Sequence, residues 1–81
     1  MATVLLFGRL SDLAGWRKRV FEPTPERLSG LKLLIRRTDP LLADALEAPG
    51  VQAAVNLVLT RGDLRLGPGA EVAFMPPMSG G

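Results

Sequence analysis

Two short apolar segments, one near each end of the chain, constrain the fold more than any other feature. Residues 3–7 read Thr-Val-Leu-Leu-Phe and precede Gly8, while residues 71–75 read Glu-Val-Ala-Phe-Met and precede Pro76. Each segment is long enough for a strand, too short for an independent helix, and apolar on both faces. Such strands lie inside a sheet. The sequence therefore predicts that the first and last strands pair in parallel at the centre of a mixed sheet. One face should meet the core and the other a helix or a partner.

Two amphipathic helices are predicted to pack on this sheet. Thr24 as N-cap and Pro25 at the first helical position start the main helix, which should end near Arg37. Asp39 caps a second, shorter helix that ends near Glu47. Apolar residues recur at spacings of three and four along the main helix and form one face, at Leu28, Leu31, Leu34 and Ile35.

Between the first strand and the main helix, the chain is predicted to form a helical turn and an edge strand. The turn covers residues 11–14 and ends at Gly15, which can adopt the left-handed conformation of a C-cap. The strand covers residues 16–22, where basic and apolar residues are mixed on both faces. This mixed pattern suits an exposed position at the edge of the sheet.

A hairpin is predicted between the second helix and the last strand. Residues 51–55 form its first strand, Asn56 tolerates the left-handed conformation of a tight turn, and residues 57–59 return antiparallel. In the turn-rich segment that follows, Leu64 and Leu66 are expected to close the edge of the domain. This order of elements predicts a single-domain α+β protein with the β-grasp (ubiquitin-like) fold.

The side chains that most catalytic and metal sites use are missing. The chain has no cysteine and no histidine, which excludes a thiol nucleophile, a disulfide framework, thiolate zinc sites and the commonest general base. Its carboxylates show no recognisable catalytic spacing. We therefore expect no bound cofactor and no metal, and little enzyme chemistry on side chains.

Charge and hydropathy argue against nucleic-acid binding and membrane insertion. The net charge is +2, and residues 17–19, the one basic cluster, would alternate between faces in a strand. A single tryptophan and no tyrosine leave little for base stacking. No apolar run approaches the roughly 20 residues of a membrane span, and no charged segment precedes a hydrophobic one at the N-terminus. The expectation is a cytoplasmic protein.

The last six residues form the predicted functional site. Residues 1–75 should form the domain and residues 76–81 an extended tail, because two prolines fix φ and cannot continue a strand ladder. The Gly-Gly terminus carries no side chains, so its reactive group is the α-carboxylate of Gly81. The predicted site comprises Pro76, Pro77, Met78, Ser79, Gly80 and Gly81.

Three stretches of the sequence carry a family resemblance: residues 4–7 with 13–15, residues 53–56, and residues 71–81. Together they resemble the small subunit of molybdopterin synthase, one of the ubiquitin-like sulfur carriers, over essentially the whole chain. The Pro-Pro-X-X-Gly-Gly terminus after an apolar strand is the specific part. One departure is the Gly-Pro-Gly-Ala sequence at residues 67–70, where relatives are expected to carry an acidic run.

The resemblance implies a defined chemistry for the terminus. An E1-like activating enzyme would adenylate the Gly81 carboxylate with ATP and magnesium, and the adenylate would become a thiocarboxylate. Gly80 would let the tail enter the large synthase subunit, where the sulfur passes to cyclic pyranopterin monophosphate and forms the dithiolene of molybdopterin. The resemblance further implies a heterotetramer of two small and two large subunits. The catalytic groups would then lie on the large subunit, and this chain would be a non-catalytic sulfur donor.

Phe7, Leu59 and Met75, with Met78, are predicted to form the apolar patch that docks on the large subunit. Two alternatives stay open at this stage. The chain could carry sulfur for thiazole (thiamine) or amino-acid biosynthesis, or it could be a ubiquitin-like interaction or modifier module, with a tail that is incidental or conjugated to lysine.

Overall fold

The computed structural model describes residues 1–77. Met78, Ser79, Gly80 and Gly81 of the predicted site lie outside the described residues. The elements in chain order are β1 (Ala2–Leu6), α1 (Arg9–Ala14), β2 (Lys18–Phe21), α2 (Leu28–Thr38), α3 (Pro40–Leu46), β3 (Gln52–Val55), β4 (Val58–Thr60) and β5 (Glu71–Met75).

The strands form one five-stranded mixed sheet in the order β2-β1-β5-β3-β4. β1 and β5 are parallel, with Val4 opposite Val72 and Leu6 opposite Phe74. The other pairs, β1 with β2, β3 with β4 and β3 with β5, are antiparallel. The predicted parallel pair at the centre of a β-grasp sheet is therefore confirmed.

The core lies on one side of this sheet. Val4, Val72 and Phe74 point to that side and are almost completely buried. They pack in one cluster with residues from all three helices, among them Leu10, Leu31 and Leu42. Adjacent residues on the same strands are less buried, since alternate side chains point to the opposite face of the sheet.

The start of α2 differs from the prediction. The helix begins at Leu28 and not at Pro25, and its N-cap residue, Arg27, makes no side-chain capping bond. Asp63 supplies that function from a distant loop, because its carboxylate accepts hydrogen bonds of 2.9 Å from the backbone N–H and the hydroxyl of Ser29. The hydrogen bond from the Ser29 backbone N–H is the main reason that the pKa of Asp63 is lowered. The prediction that Thr24 caps the helix is therefore wrong.

Pairing with the loop before β5 explains why the residues ahead of α2 are not helical. The Leu28 N–H donates to the Leu64 carbonyl, and the Leu66 N–H donates to the Glu26 carbonyl, both at 2.8 Å. These bonds occupy the backbone groups that a first helical turn would use. Leu66 is buried as predicted, whereas Leu64 is 39% exposed and does not close the domain edge.

The capping predictions for the end of α1 and the start of α3 are confirmed. The Asp39 carboxylate accepts a 3.1 Å hydrogen bond from the Leu42 N–H and starts α3. Gly15 ends α1 with a φ of 82°, in the left-handed region. The predicted edge strand is shorter than residues 16–22, because Trp16 leaves the ladder and packs on the core beside Phe21.

The β3–β4 hairpin turns at two residues with positive φ, Asn56 at 50° and Leu57 at 71°. The prediction that Asn56 starts the turn is confirmed, and β4 begins at Val58 because Leu57 is the second turn residue. Asn56 also holds the start of β5. Its N–H donates to the Glu71 carbonyl at 2.8 Å, and its side-chain oxygen accepts from the Glu71 N–H at 2.9 Å.

Candidate functional site

The base of the predicted tail lies at the end of the central strand. β5 ends at Met75, and the next two residues, Pro76 and Pro77, are half-buried. A proline has no N–H to donate, so the strand ladder stops there, as the sequence predicts. The predicted boundary after residue 75 stays a prediction, although both prolines contact the domain.

Two glycines on neighbouring segments contact this diproline, Pro76 and Pro77. A Cβ atom at Gly8 would lie 2.9 Å from Pro76 Cγ, and a Cβ atom at Gly50 would lie 2.6 Å from Pro77 Cβ. Both glycines have positive φ, 56° and 86°. Any larger residue at either position would therefore collide with the base of the tail and strain its own backbone.

A groove of about 540 Å³ lies beside the diproline. Leu13 and Arg9 of α1 form one wall, and Pro49 contributes to the lining from the segment that follows α3. The lining is mostly apolar apart from Arg9 and Asp12. The diproline thus lies in a concave surface that it forms together with α1 and with the end of α3 and the segment that follows it.

The second part of the candidate site is the side of the sheet that faces away from the core. By strand register, Leu5 lies beside Ala73, Ala73 beside Ala54, and Ala54 beside Leu59. Phe7, the residue after β1, and Met75, the last residue of β5, have the same orientation by strand alternation. We call this surface the apolar outer face, and define it by Leu5, Phe7, Ala54, Leu59, Ala73 and Met75.

The three residues predicted to dock on a partner all lie on the apolar outer face. Phe7 is 49% exposed, Leu59 is 61% exposed, and Met75 is half-buried. Phe7 lies beside Met75, about 5 Å away. Leu59 is two strands further on and level with Ala73, which places it about 12 Å from Met75. The three helices pack on the opposite side of the sheet through their buried residues. The docking role stays a prediction, and Met78 lies outside the described residues.

The sequence prediction missed three members of this surface. Leu5 lies two residues before Phe7, so strand alternation places both side chains on the same side of the sheet, and this spacing could have identified Leu5. Ala54 and Ala73 are small residues whose place between Leu5 and Leu59 follows only from the strand register.

The basic residues of β2 are divided, as predicted from strand alternation. Lys18 lies beside Leu5 on the outer side of the sheet. The Arg19 guanidinium instead lies 5.9 Å from the Trp16 ring centroid and 5.4 Å from that of Phe21, within cation–π range. The basic cluster therefore does not form one stripe.

Within residues 1–77, His, Cys, Asp and Glu residues form no group of three or more that could hold a metal ion. In the same residues, no helix has both the length and the apolar character needed to cross a bilayer.

The fold and the diproline tail define a class of protein, the single-domain β-grasp or ubiquitin-like proteins. The profile of the ThiS family matches residues 4–81, and the chain belongs to this family of ubiquitin-like sulfur carriers. The predicted relationship to such carriers is confirmed. No curated protein matches the chain significantly.

Among solved structures, the chain is similar to SAMP1 from Haloferax volcanii. The TM-score is 0.78 at 20% sequence identity, and the alignment covers 99% of this chain and 98% of SAMP1. At this identity the similarity establishes the fold, and the predicted β-grasp architecture is confirmed.

Proposed function

We propose that this chain carries sulfur as a thiocarboxylate on Gly81 and serves as the small subunit of a molybdopterin synthase. The observation that carries the proposal is the arrangement at the end of β5. A central strand ends in a rigid diproline that packs on Gly8 and Gly50, and Met-Ser-Gly-Gly follows in sequence. The ThiS family match supports the sulfur-carrier part of the proposal. The proposal takes Gly81 as the last residue of the working protein.

Loading of the sulfur requires an activating partner. A carboxylate is a poor electrophile, so an E1-like enzyme using ATP and magnesium would first form the Gly81 acyl-adenylate with release of pyrophosphate. Sulfur at the sulfide level would then attack the acyl carbon, and AMP would leave. The only Gly-Pro-Gly sequence of this chain, at residues 67–69, is too short for a phosphate-binding loop and lacks the following lysine. The ATP site therefore belongs to the partner.

The thiocarboxylate suits a chain without histidine or cysteine. It is ionised near neutral pH and presents a soft, nucleophilic sulfur, so no local base is needed to activate it. In the proposed transfer step the thiocarboxylate sulfur attacks a side-chain carbon of cyclic pyranopterin monophosphate within the large subunit, so that a carbon–sulfur bond forms while a carbon–oxygen bond at that carbon breaks. Water then cleaves the acyl–sulfur bond and leaves the sulfur on the pterin. The acyl group returns to a carboxylate after hydrolysis, and two cycles complete one dithiolene. Enclosure of the tail in the partner would protect the thiocarboxylate from premature hydrolysis.

The apolar outer face would hold the large subunit. Roughly half of the Phe7 side chain is exposed, which corresponds to about 100 Å² of a ring that offers 150–250 Å² in total. At about 25 cal/mol per Å², its burial would contribute about 2.5 kcal/mol to binding, or roughly 70-fold in affinity. The gain in binding free energy per Å² is smaller in practice, because association also costs conformational entropy as side chains at the interface become ordered.

Charged substitutions on this face provide the docking test. Phe7→Asp and Met75→Asp should each weaken binding of the large subunit by tenfold or more, on the order of one buried apolar side chain. Leu33→Asp is the matched control, since Leu33 is 60% exposed but lies on α2, on the other side of the sheet. Normal binding by both outer-face variants, with folding checked by circular dichroism, would refute the docking role.

Reconstitution distinguishes the sulfur pathways. The thiocarboxylated chain, a large synthase subunit and cyclic pyranopterin monophosphate should yield molybdopterin, and a chain lacking Gly81 should yield none. Retained product with the Gly81-deleted chain would refute the mechanism. Sulfur transfer to a thiazole-forming or amino-acid-forming acceptor, with no molybdopterin, would instead assign the chain to one of those pathways. Attachment to lysine would make it a modifier.

A further inference from the structure

We propose that Gly8 and Gly50 are positioning residues for the sulfur-bearing terminus, an inference that rests on the proposed function. By packing against Pro76 and Pro77 from two sides, they fix the direction in which the tail leaves the domain. The apolar outer face would then supply affinity for a partner, while the glycine pair, Gly8 and Gly50, would supply the aim of the reactive group.

The strand register explains why the glycine pair flanks the diproline. β1 runs parallel to β5 with Leu6 opposite Phe74, so two residues further on Gly8 comes opposite Pro76. A hydrogen bond of 3.2 Å from the Phe7 N–H to the Phe74 carbonyl keeps the two chains together to this point.

The second contact follows from the strand on the other side of β5. β3 runs antiparallel to β5 with Gln52 opposite Met75, so two residues before Gln52 the chain brings Gly50 opposite Pro77. Each strand that borders β5 therefore delivers one glycine to one proline. The contacts continue the sheet geometry beyond the last ladder hydrogen bonds.

The contacts are close enough to determine where the diproline lies relative to the domain. Real Cβ atoms essentially never approach another atom within 3.0 Å, and both glycine positions would fall below this limit. A proline side chain cannot rotate away, because its ring is closed onto the backbone with φ fixed near −65°. At Gly50, restoring ordinary contact distance would require a displacement of roughly 1 Å between Pro77 and the loop. Misplacement of about 1 Å can cost up to about a hundredfold in rate at an active site.

Other glycines of the chain separate this effect from backbone strain. Gly15 and Gly62 also have positive φ, 82° and 79°, close to the 86° of Gly50, but a Cβ at either position would meet no atom within 4 Å. Alanine at these positions therefore imposes similar left-handed strain without touching the tail. They are matched controls for Gly50→Ala.

Thiocarboxylation kinetics with the activating enzyme test the positioning role. Gly50→Ala should lower kcat by about tenfold to a hundredfold, with the KM for this chain within about twofold of wild type, because docking is intact while delivery of Gly81 is not. Gly15→Ala and Gly62→Ala should change neither value by more than about twofold.

A double-mutant cycle ties the effect to the contact. Pro77→Gly removes the Cβ atom that Gly50→Ala would strike, so in this background Gly50→Ala should lower kcat no more than Gly62→Ala does. The same cycle for Gly8→Ala uses Pro76→Ala, which removes the Cγ atom at 2.9 Å. Additive effects in both cycles would overturn the proposal.

The comparison of wild type with the glycine variants keeps failure of this inference distinct from failure of the proposed function. Nuclear Overhauser contacts between Gly50 Hα and Pro77 Hβ should be present in wild type and absent or shifted in Gly50→Ala. If wild type gains sulfur but Gly50→Ala behaves like Gly62→Ala, the positioning role is overturned and the sulfur-carrier function stands. If wild type gains no sulfur with an activating enzyme, ATP and sulfide, the positioning role falls together with the proposed function, even where the Overhauser contact is observed.

Discussion

Replacing Leu57 by glycine should stabilise the protein, although it deletes a large apolar side chain. Leu57 is the second residue of the β3–β4 turn, with φ at 71°, and its side chain is 88% exposed. A left-handed conformation costs an L-residue about 1–2 kcal/mol. Glycine removes this cost but loses more backbone freedom on folding, about 0.5–1 kcal/mol. Because an exposed leucine has little packing to lose, the net gain should be about 0.5–1 kcal/mol.

Equilibrium unfolding in urea and by heat measures this gain. For a domain of this size, the expected rise in Tm is about 2–8 °C, with an unchanged dependence of the unfolding free energy on urea. Leu57→Ala is the control, because alanine retains the left-handed strain and should change the stability little. A lower Tm for Leu57→Gly, or an equal gain for Leu57→Ala, would refute the strain argument.

Three further variants test how the domain is held together. Asp63→Ala should destabilise the protein at neutral pH. Because the Ser29 N–H lowers the pKa of Asp63, this contribution exists above the ordinary carboxyl pKa and is lost as the pH falls through the lowered pKa, so the difference in stability between the variant and wild type should shrink steadily on acidification. Asp39→Ala should cost about 1 kcal/mol in urea unfolding, since it removes the cap on the Leu42 N–H. Phe74→Ala should cost about 3–5 kcal/mol by the same measurement, because Phe74 is 1% exposed at the centre of the core. Costs near zero for either variant would contradict the packing described above.

Local sequence signals predicted much of the fold. The apolar faces of residues 3–7 and 71–75 indicated the central parallel pair, and Asp39 and Asn56 marked a helix start and a tight turn. Each of these signals acts between residues close in sequence or through a simple burial pattern. The start of α2 failed for the opposite reason. The residue that caps it, Asp63, is 34 positions from Ser29, so no local pattern could identify it.

The sequence likewise predicted one part of the candidate site, the apolar outer face, and missed another, the glycine contacts with the diproline. The apolar character of the outer side of the sheet could be predicted from β1 and β5, because both strands are apolar at alternate positions on that side. No local sequence signal links Gly8 or Gly50 to the tail. Their contact with Pro76 and Pro77 depends on the register of β1 and β3 against β5, which is set by the assembled sheet.

The most direct test of the sulfur-carrier function is the intact mass of the chain after incubation with an activating enzyme, ATP, magnesium and sulfide. We predict a mass gain equal to the replacement of one oxygen by one sulfur, located on the peptide that ends at Gly81 and absent when ATP is omitted. No gain, or a gain that maps to a conjugate with lysine, would contradict the proposed function.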